Sequence, residues 1–223
     1  MPGIKENIEK ITSQLPAGVR LVAVSKFHPV EKLREAYDAG QRLFGENHAQ
    51  ELVAKAPLMP ADVSWHFIGH LQSNKVRAIM PSVSVIESID TIKLLHLVNK
   101  EAQRIGRTVD VLLQLHVAQE ETKSGFSVDE ILEAAGNGEF SGFDNVRICG
   151  LMAMATNTPD TAQVAQEFAT VRSTFDKLKS GYFSGNAAFK EISMGMSDDW
   201  HIAVEHGSTM VRIGTAVFGP REY

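Results

Sequence analysis

The chain has 223 residues, of which 43% are hydrophobic and 22% charged, with a formal net charge of −5. That is ordinary globular usage, long enough to bury a large core, and its acidic balance gives no general attraction to nucleic acid or anionic membrane. A lone cysteine, Cys149, excludes an intrachain disulfide and a thiolate metal cluster and fits a reducing compartment.

The opening stretch MPGIKENIEKITSQL lacks the apolar centre of a signal peptide and reads as a helix over about 3–15. No run approaches membrane-spanning length, so a cytoplasmic protein is expected. VRLVAVSK then reads as a strand and VEKLREAYDAG as a helix ended by Gly40. RLFGEN, SWHFIGH and VSVIESI are the next strands, separated by helices through HAQELVAKAP and SNKVRAIM. TIKLLHLVNKEAQRIG is helical, and VDVLLQLHV is the clearest strand of all. The loop AQEETKSGF leads to the helix SVDEILEAAG, with Ser127 as N-cap and Glu130 three residues on. VRICGLMAM is the sixth strand, a long helix covers about 159–181, and FKEISMGM is the seventh strand. The helix DDWHIAVEHG and a final strand TMVRIGTAVFG complete the pattern. Glycines 40, 106, 136, 181 and 207 fall where left-handed C-cap residues belong.

Strands joined by helices in this order are parallel, and eight of them close a barrel better than they fill an open sheet. The expected fold is α/β: a (β/α)8 TIM-type barrel with an extra N-terminal helix, one domain over 1–223. An open doubly wound sheet would usually carry a glycine-rich turn after the first strand, and SKFHP is not one.

In such barrels the chemistry sits at the carboxyl ends of the strands. Lys26 closes the first strand, and alternation puts it on one face with Val24 and Val22. Facing inward, its ammonium would sit at the mouth over an apolar wall, where desolvation favours the free amine needed for Schiff-base formation. Read by position alone, the simpler reading is a solvated strand-end lysine or a phosphate-binding charge, since most strand-end lysines do nothing chemical. After strands seven and eight, Ser197, Gly214 and Thr215 supply hydroxyls and a close backbone approach suited to phosphate. The plainer alternative is that Gly195 and Gly214 fit tight corners and Ser197 only caps a helix. Arg212 lies in an otherwise apolar strand on the face of Gly214, so it either pairs with a core carboxylate or faces a ligand.

His66 and His70 share a strand face but lack a third metal ligand, so structural or ligand-contact roles are expected. His28, His48 and His116 fall at strand ends or the loops after them, while His201 and His206 read as helix-surface residues. Lys75 and Lys123 fall on the mouth side.

VAVSK, FGENHAQE, WHFIGHLQSNK, TKSGF, GLMAM, SMGMSDD and GSTMVRIGTAVFG occur in this order along nearly the whole chain. Together they resemble the pyridoxal phosphate homeostasis protein family, whose members are single-domain relatives of the alanine racemase barrel. The resemblance implies that Lys26 holds pyridoxal 5′-phosphate as an internal aldimine. It implies that Ser197, Gly214 and Thr215 contact the phosphate and that Arg212 approaches the pyridine nitrogen. It further places Asn47 near the ring, with Met194 and Met196 packed around it. The family often has a second lysine two residues beyond the first, where this chain has His28.

Strong pyridoxal chemistry needs a protonated pyridine nitrogen, and an always-charged arginine can only donate there. Racemases complete their site with a tyrosine from a second domain, whereas Tyr37, Tyr182 and Tyr223 fall in no matching motif. A monomeric carrier that buffers pyridoxal phosphate or delivers it to apo-enzymes is therefore expected, without robust turnover. A weak amino-acid racemase is the first alternative, and a Schiff-base lyase or aldolase on a phosphorylated substrate the second.

Overall fold

The computed structural model describes residues 3–120 and 124–220. Helix α1 (Ile4–Gln14) precedes the first strand, β1 (Arg20–Val24). Then come α2 (Val30–Asp38), β2 (Leu43–Glu46), α3 (Ala49–Lys55), β3 (Ser64–Phe67), α4 (Val76–Ile79) and β4 (Val85–Ile89). The second half runs α5 (Ile92–Arg104), β5 (Val109–Leu115), α6 (Val128–Gly136), β6 (Val146–Ala153), α7 (Thr161–Ser180), β7 (Glu191–Ser193), α8 (Trp200–Glu205), β8 (Met210–Ile213) and α9 (Thr215–Phe218). The eight strands pair in sequence order, all in parallel, and β8 closes on β1 with Val22 opposite Arg212. This is the expected TIM-type barrel with its added N-terminal helix.

Period-two alternation builds two apolar shells. Leu21, Ala23, Phe44, Phe67, Ile192 and Val211 point outward and pack beneath the helices. Val22, Leu112, Cys149, Met152 and Met210 point inward and fill the lumen. Helix α1 buries Ile4, Ile8 and Ile11 on one face and packs against α2 and α9. The Asn7 side-chain amide donates to the carbonyl of Val217 at 3.0 Å, tying α1 to the chain just after β8.

Register shifts break the pairing at two places, between Ile86 and Ile89 in β4 against β5 and between Val111 and Leu112 in β5 against β6. Val111 pairs with Ile148, but Leu112 pairs with Gly150, so β6 carries an extra residue. Gly150 has φ +153, and a Cβ there would fall 1.8 Å from the carbonyl oxygen of Glu191. Only glycine lets β7 approach so closely.

Several boundaries differ from the sequence expectations. The eighth strand ends at Ile213, and TAVF is the short helix α9 rather than more strand. The seventh strand is only Glu191–Ser193, and the helix expected over SNKVRAIM is a 3₁₀ turn (Ser73–Lys75) followed by α4. The Ser127–Glu130 capping box is present as expected. Gly40, Gly106 and Gly207 take positive φ, whereas Gly136 lies within α6, where Gly138 beyond its end supplies the left-handed residue. Gly181 ends α7 at φ −92 and needs no glycine-specific conformation.

Candidate functional site

β1 ends at Val24, and Lys26 stands in the turn that follows, half-buried. It opens on a cavity of about 170 Å³ at the carboxyl mouth of the barrel. Val24, Ile68, Met154 and Met196 form its apolar wall, and its polar lining is Lys26, His28, Asn47, Ser197, Arg212 and Thr215, with Gly214 between the last two. Seven of the sequence-chosen residues therefore converge: Lys26, Asn47, Met196, Ser197, Arg212, Gly214 and Thr215.

Met194 does not join them. It is fully buried in the outer shell, because Ser193 beside it points into the lumen. Met196 reaches the cavity because the strand has ended and Gly195, at φ +98, redirects the chain. Ser197 is not the N-cap of α8; that position is Asp199, whose carboxylate accepts the Met196 amide at 2.5 Å.

Arg212 is 4% exposed; it pairs with a core carboxylate, Glu87, and also lines the cavity. Its guanidinium donates to Ser193 Oγ at 2.6 Å and to the Ala153 carbonyl at 2.8 Å. Ser193 Oγ in turn donates to Glu87 Oε2 at 2.6 Å, and Glu87 Oε1 lies 2.6 Å from His66 Nδ1. The Arg212 and Glu87 charges are 3.8 Å apart. A polar chain thus crosses the lumen from β8 through β7 and β4 to β3. Burial pushes the Arg212 guanidinium below its ordinary value, against the pull of the Glu87 and Asp199 charges. Burial would raise the Glu87 carboxyl, but His66, Arg212 and Ser193 together hold it below the usual glutamate value.

Behind the Lys26 turn lies a second buried network. Lys55 Nζ donates to the Ser25 carbonyl at 2.9 Å, Glu46 Oε1 at 2.8 Å and Glu51 Oε2 at 2.6 Å. Ser25 Oγ donates to the same Glu46 oxygen at 2.6 Å, and the Phe27 amide donates to Glu51 Oε2 at 2.8 Å. Burial pushes the Glu46 carboxyl up despite Lys55 and Ser25. For Glu51 burial acts the same way, but the donors Lys55 and Phe27 N–H win and hold it low.

Sequence reasoning missed Glu87, Ser193, Glu46, Glu51 and Lys55. Glu87 carried a usable signal: it is a charged residue inside the apolar strand VSVIESI, the feature that singled out Arg212.

The remaining histidines and lysines divide. His28 is buried in the cavity wall against the Phe218 ring, with centroids 4.9 Å apart. His48, His70 and Lys75 line a neighbouring cavity of about 410 Å³ that shares Asn47. His116 contacts the Ala118 carbonyl at 2.8 Å, His201 stacks on Trp200, and His206 bonds back to the Ile202 carbonyl. Lys123 lies outside the described residues. Among the described residues no group of three or more His, Cys, Asp or Glu side chains could hold a metal ion.

The geometry is that of a parallel barrel with an amine, hydroxyls and a fixed guanidinium around one mouth. Its class is set by the family model described as alanine racemase, N-terminal domain, which matches residues 2–222. An alanine racemase from E. faecalis shares the fold, with a TM-score of 0.75 at 18% identity over 97% of this chain and 57% of that one. Curated relatives narrow the class. A protein of Vibrio alginolyticus named pyridoxal phosphate homeostasis protein is 40% identical, with all of both chains covered. One of the same name from Pasteurella multocida is 37% identical over 99% of this chain and 95% of its own. The chain belongs to the pyridoxal phosphate homeostasis protein family. Among solved structures, PipY of Synechococcus elongatus without PLP gives a TM-score of 0.91 at 37% identity, covering 97% of this chain and 100% of that one. The same protein with PLP bound gives 0.88 at 36% identity over the same shares. Among the described residues no helix is long and apolar enough to cross a membrane.

Proposed function

We propose that this chain binds pyridoxal 5′-phosphate covalently through the Lys26 amine and buffers or delivers it in the cytoplasm, as a single-domain monomer without robust turnover. One observation carries the reading: Lys26, Arg212 and the Ser197–Gly214–Thr215 group meet in one cavity. Its family relatives bear the homeostasis name, and the PipY neighbour was solved with PLP bound.

The residues present fit such a group. Asn47 Oδ1 is buried with no hydrogen-bond partner among the described residues, an acceptor suited to a ligand donor. A Cβ on Gly214 would come within 3.2 Å of the Val24 carbonyl oxygen at the cavity wall, so glycine keeps that approach open. Ser197 and Thr215 line the cavity and supply hydroxyls for a phosphate. Bound there, the cofactor supplies an aldehyde that a lysine amine can capture, and an electron sink whose strength depends on ring protonation. Arg212 keeps its own protons and can only donate, which leaves that sink weak.

Of the tyrosines, Tyr223 lies outside the described residues. Tyr37 donates to Asp62 at 2.7 Å and Tyr182 is exposed, and neither lines the cavity. Absorbance titration with pyridoxal phosphate tests the reading. A visible band that borohydride reduction fixes to a Lys26 peptide is expected, absent in Lys26→Ala. No band in the wild type would overturn it. Alanine racemisation under saturating cofactor should not exceed the rate of free cofactor. Light scattering on the eluting protein checks the monomer, and reactivation of an apo-enzyme by the loaded protein checks delivery.

A further inference from the structure

We infer that Glu51, Lys55 and Glu46 form a buried clamp that holds turn 25–27, and with it the Lys26 backbone, in the conformation that presents the amine to the cavity. The inference deepens the proposed function and rests on it. These are positioning residues, since none of the three lines the cavity.

The starting observation is Phe27. It has φ +65, and it is the one non-glycine residue with positive φ among the described residues. A bulky side chain in the left-handed region is strained, and such strain persists only where the surroundings over-determine it. The Phe27 ring touches His48, with centroids 5.3 Å apart, but its side chain is 48% exposed. Backbone hydrogen bonds on both sides of Lys26 fix the turn more firmly. Glu51 accepts the Phe27 amide at 2.8 Å, directly after Lys26. Lys55 donates to the Ser25 carbonyl at 2.9 Å, directly before it. The Ser25 amide is also fixed, to the Gly45 carbonyl at 2.9 Å.

The clamp uses every proton of the Lys55 ammonium, while Glu46 Oε2 is buried with no hydrogen-bond partner among the described residues. An ammonium has three protons, and Lys55 directs them to Ser25 O, Glu46 Oε1 and Glu51 Oε2. Glu46 also takes the Ser25 hydroxyl at 2.6 Å, so both residues flanking Lys26 are bonded to the same cluster. Glu51 and Lys55 lie one turn apart on α3, which makes the helix the rigid member that sets the turn. Burying three charged groups behind a strand end is costly and adds little net stability over apolar packing. Fixing the geometry of a functional turn accounts for their presence.

The test uses three variants of the full chain. Glu51→Ala removes the acceptor for Phe27 N–H. Glu51→Gln keeps an acceptor. Glu51→Ala with Phe27→Gly removes the strain that the acceptor offsets, because glycine takes positive φ freely. Two readouts are followed, with circular dichroism as a check of folding: loss of the visible band on adding hydroxylamine to the pyridoxal-phosphate-loaded protein, and hydrogen exchange of the Phe27 amide in cofactor-free protein. Glu51→Ala is expected to speed cofactor loss on the order of tenfold and to expose the Phe27 amide, the scale of one strained residue released. Glu51→Gln should stay within about twofold of wild type, and adding Phe27→Gly to Glu51→Ala should restore retention to a similar margin. A merely structural role would not give that rescue. Unchanged cofactor loss in folded Glu51→Ala, or no rescue by glycine, overturns the clamp. If the wild type takes up no cofactor, the proposed function fails. The clamp is then decided by Phe27 exchange alone, where slow exchange in wild type and fast in Glu51→Ala supports it, and equal rates overturn it.

Discussion

Replacing Glu87 by Gln removes the carboxylate that pairs with Arg212 in the lumen, and the structure sets the size of the effect. The two charges are 3.8 Å apart, at 0% and 4% exposure. At that separation an effective dielectric of about 20 gives an attraction of roughly 4 kcal/mol. Breaking a buried pair on one side generally costs about 3–5 kcal/mol, because the other charge stays buried without its counter-ion. The two routes agree. Gln can still accept from His66 through one atom, but its amide nitrogen cannot accept the Ser193 hydroxyl proton that Glu87 Oε2 takes at 2.6 Å. The expected loss is therefore about 3–5 kcal/mol in urea unfolding. For a chain of this size that is a fall in Tm of about 6–20 °C. A double-mutant cycle sharpens the test: once Arg212→Met has removed the guanidinium, Glu87→Gln should cost far less than it does alone. A loss below about 1 kcal/mol in the single variant, or strict additivity in the cycle, would refute the pairing.

The acid limb of stability should carry the mark of the same carboxylates. Glu51 and Glu87 are held below the ordinary glutamate value of 4.5, so their contribution is complete above about pH 4.5 and is lost as pH falls through their folded values. Glu46 is raised, so its contribution has the opposite sign and declines as pH rises from about 4.5 toward its folded value. Urea melts across pH 3–7 should show a shallower acid loss in Glu51→Gln, and an unchanged slope would contradict the assignment. Cys149 is buried at the lumen floor and its thiol is pushed up to about 11, so iodoacetamide should label it only as the chain unfolds. Rapid labelling of the native protein would show an open floor. Gly214→Ala meets the Val24 carbonyl oxygen at 3.2 Å at an ordinary φ of −109 and should weaken phosphate binding with a stability loss under about 1 kcal/mol. Gly150→Ala would put a Cβ 1.8 Å from the Glu191 carbonyl oxygen and should abolish soluble folded protein, as judged by circular dichroism.

Val22, Val24 and Arg212 were legible in the sequence because a strand alternates with period two, and Lys26 and Gly214, just beyond the strand ends, keep that parity and line the cavity. Any residue whose strand is correctly bounded inherits its face. Beyond a strand end parity alone no longer decides the face. The seventh strand stops at Ser193, so Met194 points outward, and Met196 has the same parity but reaches the cavity only after the turn at Gly195. TAVF reads as strand because Thr and Val favour extended chain locally. Packing of α1 against this segment and the Asn7 bond to Val217 override that preference. The Lys55 clamp was not legible at all. Glu51 and Lys55 spaced four apart read as a solvated helix pair, and only the tertiary fold turns that side of α3 toward the barrel end.

The site divides its labour between the two faces of the strands. On β1, Val24 and the turn residue Lys26 face the cavity, while Ser25 between them is buried on the other side, bonded to Glu46. After β2, Asn47 faces the cavity and Glu46 before it joins the clamp. At the far wall the same division is made within the lumen: Arg212 lines the cavity, and Ser193 and Glu87 fix its guanidinium from below. With the inferred clamp, a ligand held between Lys26 and Arg212 would meet an amine and a guanidinium, each positioned by carboxylates outside the cavity. Such an arrangement favours retention, because little side-chain freedom remains to be lost on binding. It also disfavours proton traffic, since Arg212 keeps its protons. Both consequences support the holding role proposed above.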